Sequence, residues 1–182
     1  MRLLFLILLL LLFAAPMRAD TAPVLPDAML KRIKAGPDRF LDLAALLIHG
    51  FGEQGRIDAA GIELSIALDR AGARASAQRR LLAADLDGDG AVQTGEIAVA
   101  AGAASASTRA RLITTHARAD ADSDGIVSAA ELAVHAGAES LKQVSEAEAA
   151  MSRAVLACDL DGDGAVTMAE VKRALVVLDP PA

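Results

Sequence analysis

Along most of the chain, apolar side chains recur at steps of three and four residues, the spacing that lines one face of a helix. Phe40, Leu43, Ala44 and Leu47 form one such stripe; Val171, Ala174, Leu175 and Leu178 form another. One segment departs from the pattern. In GIELSIALDR, Ile62, Leu64, Ile66 and Leu68 alternate with the two-residue step of a strand. It is assigned to a helix all the same, because the repeat described below requires an outgoing helix there. Between Pro26 and Gly36, Met29, Leu30 and Ile33 are interleaved with Lys31, Arg32 and Lys34, which predicts a short basic amphipathic helix. Composition agrees with a helical chain. Trp and Tyr are absent, two of the four Phe fall in the first thirteen positions, and abundant Ala with few β-branched runs favours helix over sheet.

Loops of one design interrupt the stripes. Residues 85–96 read DLDGDGAVQTGE, 120–131 read DADSDGIVSAAE, and 159–170 read DLDGDGAVTMAE. Each places Asp at positions one, three and five, Gly at six, an aliphatic residue at eight and Glu at twelve. Twelve of the chain's 24 acidic residues lie in these segments. Two carboxylates about 4 Å apart repel by roughly 4 kcal/mol at the effective dielectric of a protein surface, so the pattern calls for a positive guest. A fourth segment, GFGEQGRIDAAG at 50–61, keeps the frame with Gly55, Ile57 and Asp58, but Gly50, Gly52, Gln54 and Gly61 replace the acids. Starts at 50, 85, 120 and 159 give a repeat of 35, 35 and 39 residues, the length of a helix-loop-helix unit.

These loops resemble EF-hands, and the chain after its first nineteen residues resembles a calmodulin-like EF-hand protein. The resemblance implies an all-α fold of helix-loop-helix repeats in two pairs, with very short β contacts between paired loops. It also implies about three Ca²⁺ ions. The implied side-chain ligands are Asp85, Asp87, Asp89 and Glu96; Asp120, Asp122, Asp124 and Glu131; and Asp159, Asp161, Asp163 and Glu170. Ala91, Ile126 and Ala165 would contribute carbonyls at position seven, and Gln93, Ser128 and Thr167 would act through water at position nine. Ca²⁺ takes about six to eight oxygens, and a terminal Glu long enough to bind through both oxygens favours it over Mg²⁺. Ser128 with Glu131, and Thr167 with Glu170, also have the Ser/Thr-x-x-Glu pattern of a capping box; loop 85–96 has Gln93 in place of the hydroxyl residue and lacks that cap, which predicts a looser helix start.

The organisation expected is a signal peptide over 1–19, a Pro-flanked basic segment over 20–37, one hand pair over 38–102 (degenerate loop 50–61 with loop 85–96), and a second over 103–182. AGAASAS at 101–107 separates the pairs, either as a flexible joint or as a continuation of helix. The basic segment either folds back onto a lobe or caps it with its charges in solvent. The apolar run Leu3–Ala15 is too short to span a bilayer and suits export, so the protein is expected to be periplasmic or secreted, with a membrane attachment only if that segment stays uncleaved.

Beyond residue 19, 16 basic and 24 acidic side chains remain, a formal charge of −8, which argues against a nucleic-acid partner. Cys158 is the only cysteine and reads as a small buried hydrophobe. His49, His116 and His135 have no metal-ligand spacing and read as ordinary helix residues. No catalytic set stands apart from the acidic loops, so the chain is not expected to be an enzyme. Two classes remain: a Ca²⁺-dependent sensor or adaptor that takes a protein target in an apolar helix groove, and a buffer. A constitutively Ca²⁺-loaded structural or dockerin-like interaction module is the alternative.

Overall fold

The computed structural model describes residues 25–178. The expected signal peptide and the start of the basic segment lie outside the described residues. The chain is mostly helical, with two small antiparallel sheets. In order it forms α1 (Asp27–Ala35), α2 (Pro37–Phe51), β1 (Arg56–Asp58), α3 (Ala59–Leu82), β2 (Val92–Gln93), α4 (Thr94–Gly102) and α5 (Ala106–Ala119). It continues with β3 (Ile126–Val127), α6 (Ala129–Gln143), α7 (Glu146–Ala154), a 3-10 turn (Val155–Cys158), β4 (Ala165–Thr167) and α8 (Met168–Leu178). No helix among the described residues is long and apolar enough to cross a membrane.

The strand-like alternation at 62–68 resolves as helix. Ile62 and Ile66, one turn apart, are buried, whereas Leu64 and Leu68 point to solvent on the opposite face. Asp58 starts this helix by accepting the Gly61 N–H at 2.9 Å. It then runs unbroken for 24 residues, about 36 Å.

That length decides the topology. Loop 50–61 sits at one end of α3 and loop 85–96 at the other, too far apart to pair. Consequently β1 pairs with β4, in the register Arg56↔Thr167, Ile57↔Val166 and Asp58↔Ala165. Likewise β2 pairs with β3, Val92 opposite Val127 and Gln93 opposite Ile126. The sequential pairing expected from the repeat, loop 50–61 with 85–96 and loop 120–131 with 159–170, is therefore corrected to a nested one, first with fourth and second with third. A boundary between pairs at 102/103 falls with it: AGAASAS lies inside one lobe. There α4 ends at Gly102, Ser105 caps α5, and Arg109 closes the turn by donating Nε–H to the Ala101 carbonyl at 3.0 Å.

Each pairing has its own apolar core. The first gathers Phe40, Leu47, Ile48, Ile57, Ile62, Ile66, Val155, Cys158, Val166 and Val171. The second gathers Leu81, Ala84, Val92, Ile97, Ala119, Val127 and Leu132. Between them α3 packs along α6, and the buried positions there are small: Ala73 and Ala77 on α3, Ala136 and Ser140 on α6. The chain returns to the first lobe through a break at Val144, where Arg70 of α3 reaches the Val144 carbonyl and pairs with Glu146 at 2.7 Å. Arg153 of α7 in turn grips Glu63 with two hydrogen bonds of 2.6 and 2.9 Å.

Helix α1 caps the first lobe with its apolar side. Ile33 is buried in the first core with Met29 packed against it, while Lys31, Arg32 and Lys34 are exposed. Beside it a cavity of about 490 Å³ opens among α1, α2, α3 and α7, lined by Ile33, Phe40, Leu43, Ile66 and Met151.

Candidate metal centre

Each acidic loop hangs between two helices and is shaped by its glycine. Gly90, Gly125 and Gly164 have φ of +85°, +87° and +89°, a region that a Cβ disfavours. The turn aims each glycine N–H back at the first Asp of its loop: Gly90 to Asp85 Oδ2 at 3.1 Å, Gly125 to Asp120 Oδ2 at 3.0 Å, Gly164 to Asp159 Oδ2 at 2.9 Å.

The twelfth residue closes the ring. Glu96 Oε1 accepts the Leu86 N–H at 2.7 Å and Oε2 the Gln93 N–H at 2.8 Å. Glu131 repeats this with Ala121 and Ser128, and Glu170 with Leu160 and Thr167. The Ser128 and Thr167 hydroxyls add bonds of 2.9 and 2.7 Å to the same carboxylates. The start of α4 is nonetheless anchored, because Glu96 takes the Gln93 N–H without help from a hydroxyl. These donors hold Glu96 below the usual carboxylate pKa, through the Gln93 N–H first and the Leu86 N–H next. Glu131 is lowered in the same way by the Ser128 and Ala121 N–H groups.

The result is three convergent carboxylate groups, Asp85/Asp87/Glu96, Asp120/Asp122/Glu131 and Asp159/Asp161/Glu170, each with one oxygen per residue all within 4.8 Å of one another. Of the acids singled out in the sequence, positions one, three and twelve are brought together in every loop. Position five is not part of these groups. Asp89, Asp124 and Asp163 instead use Oδ1 to accept the N–H two residues on, at Ala91, Ile126 and Ala165. Gln93, Ser128 and Thr167 act as helix caps or strand residues, and Ala91, Ile126 and Ala165 stand where the loops turn into β2, β3 and β4.

An oxygen-only donor set suits a hard divalent cation, and one observation tests the fit directly. Asp120 Oδ1 is buried and accepts no hydrogen bond. In the sister loops the equivalent oxygen takes a glycine N–H at position four, from Gly88 and Gly162 at 2.7 Å. Loop 120–131 has Ser123 there, with φ of +62°, and forms no such bond. A buried carboxylate oxygen without a donor is destabilising unless a cation compensates it. The residues fit the group.

Loop 50–61 is built differently. Helix α2 runs through Gly50 and Phe51, and Glu53 and Arg56 exchange two backbone hydrogen bonds of 2.9 and 3.1 Å around Gln54 and Gly55, both at positive φ. Gly52 is obligatory in that hairpin, since a Cβ would sit 2.4 Å from the Arg56 carbonyl oxygen. The loop pairs through β1 and holds none of the three acidic groups.

Two of the acidic loops therefore share a lobe, cross-linked where Thr94 donates both its N–H and its hydroxyl to the Gly125 carbonyl, at 2.9 and 2.8 Å. Sequence reasoning missed a supporting residue here. His116 of α5 is buried and bonds the Val92 carbonyl at 2.9 Å, tying an incoming helix to the paired strands. Only its place on the buried face of α5 could have signalled it.

No family model, curated protein or solved structure matches the chain.

Proposed function

We propose that this chain is an exported, EF-hand-type calcium-binding protein that takes three Ca²⁺ ions, two in the lobe of loops 85–96 and 120–131 and one in the lobe of loop 159–170. The observation that carries the reading is the threefold convergence of carboxylate oxygens, with one buried oxygen left without a donor. Calcium is favoured over a smaller cation by the flexible Asp-rich loop and by a Glu at position twelve, a side chain long enough to bind through both oxygens. The chain's own contribution is to hold like charges together. Backbone N–H groups and helix caps fix Glu96, Glu131 and Glu170 in place, and three divalent ions would bring residues 20–182 from −8 to −2.

Ion binding then stabilises the folded state by mass action. The apolar cavity beside α1 is the place where a calcium sensor would take a protein target, and a buffer would leave it unchanged. One titration tests the reading. Metal-free protein lacking residues 1–19 is titrated with Ca²⁺ while heat and the fluorescence of a hydrophobic dye are followed. A stoichiometry near three is expected, and dye uptake assigns the sensor role while its absence assigns the buffer role. Failure to bind Ca²⁺ at millimolar concentration would overturn the proposal.

A further inference from the structure

We propose that Arg56, in the ion-free loop, sets the calcium affinity of loop 159–170 across the β1–β4 pairing; the inference rests on the calcium reading of that loop. Arg56 occupies the seventh position of loop 50–61, where the three acidic loops carry Ala91, Ile126 and Ala165. The Glu53–Arg56 hairpin and the pairing of Arg56 with Thr167 point its side chain at the neighbouring loop. There Nη2 donates to Asp163 Oδ2 at 2.8 Å, forming an ion pair in which both side chains are partly exposed.

Asp163 is the fifth residue of its loop, and its Oδ1 already accepts the Ala165 N–H at 2.9 Å. Both of its oxygens are thus engaged, one by a fixed positive charge. The equivalent residues of the other lobe, Asp89 and Asp124, have no basic partner among the described residues, and the seventh position of the opposing loop, from which Arg56 reaches, is there the apolar Ile126 or Ala91. Among the described residues, loop 159–170 is therefore the one acidic loop with an ion-paired protein cation against it. A divalent ion entering there must displace the guanidinium or tolerate its repulsion. By linkage, whatever the ion pair takes from ion affinity, the ion takes from the pair. A partly exposed pair of this kind is worth a factor of about two to five in an equilibrium constant.

The test is a Ca²⁺ titration of ¹⁵N-labelled protein followed at the amides of Gly90, Gly125 and Gly164, each of which reports one loop through its bond to the first Asp. Arg56→Gln is expected to lower the Gly164 midpoint about two- to five-fold and to leave Gly90 and Gly125 where they were. Arg56→Lys, which keeps the charge, is expected to hold the Gly164 midpoint closer to that of the native chain, and serves as the second variant should the Gln substitution disturb β1. An unmoved Gly164 midpoint, or an equal shift at all three glycines, overturns the role of Arg56 alone. Three glycines indifferent to Ca²⁺ in the native chain would instead overturn the calcium reading, and this inference with it.

Discussion

Replacing Asp120 with Asn should change stability in opposite directions with and without calcium. Asp120 Oδ2 accepts the Gly125 N–H at 3.0 Å, a bond that an Asn carbonyl can keep, while Oδ1 is buried with no donor and lies with oxygens of Asp122 and Glu131 inside a 4.8 Å group. At that separation the Asp120–Asp122 repulsion is about 3.5 kcal/mol at an effective dielectric of 20 and about 0.9 kcal/mol at that of water; Asp122 is exposed, so the lower figure governs. An amide also puts a donor where Oδ1 had none, offsetting the weaker bond to Gly125. Metal-free D120N should therefore be more stable by about 1 kcal/mol, a rise of about 2–4 °C in Tm for a chain of this size. With Ca²⁺ at about a hundred times the dissociation constant, each intact site adds roughly 2.7 kcal/mol, so losing one should shrink the calcium-induced rise by about 5–10 °C. Melting followed by circular dichroism, in chelator and in calcium, reads both numbers. A variant that melts lower in chelator yet keeps its full calcium increment would refute the claim that this carboxylate is held for an ion.

The nested pairing predicts where packing energy is shared. Ile57→Ala should cost about 2–5 kcal/mol in urea unfolding and couple to Val166→Ala by at least about 0.5 kcal/mol, while adding independently with Val92→Ala; coupling to Val92 in place of Val166 would refute the register. Cys158 is 1% exposed, with its thiol pushed up to about 11 by burial first and by the Glu170 carboxylate second, so a thiol reagent should label it only as fast as the first lobe opens. Calcium should slow that labelling, and rapid labelling insensitive to calcium would contradict it. Glu148 is held below the usual carboxylate pKa by the Ser145 N–H first and the Ser145 hydroxyl second. Its share of stability is therefore present above about pH 4.5 and lost as pH falls through its lower folded value, so E148Q should flatten the acid limb of the stability profile; an identical limb would exclude the cap as its source.

Much of the architecture was legible because its determinants are local. An Asp-rich stretch with Gly at the sixth position must turn at that Gly whatever surrounds it, and the spacing of Phe40, Ala44 and Leu47 buries one helical face in almost any context. The alternation at 62–68 misleads when read alone, because two-residue and four-residue steps share Ile62 and Ile66; burial of Ala73 and Ala77 further along the same helix settles the period. His116 and Arg56 were illegible for a different reason. Their partners, the Val92 carbonyl and the Asp163 carboxylate, lie 24 and 107 residues away.

By itself, then, the amino-acid sequence determined the helical character, the four loops and which three of them concentrate negative charge, since backbone propensity, turn chemistry and short-range repulsion act over a dozen residues. Only the tertiary structure decided which loops stand back to back. An unbroken α3 carries loops 50–61 and 85–96 to opposite ends of a rod, whereas the three-residue turn after Gly102 folds loop 120–131 back onto loop 85–96. The same geometry sets an arginine, not a second acidic loop, against loop 159–170, because side chains remote in sequence meet only where the packing of whole helices brings them together.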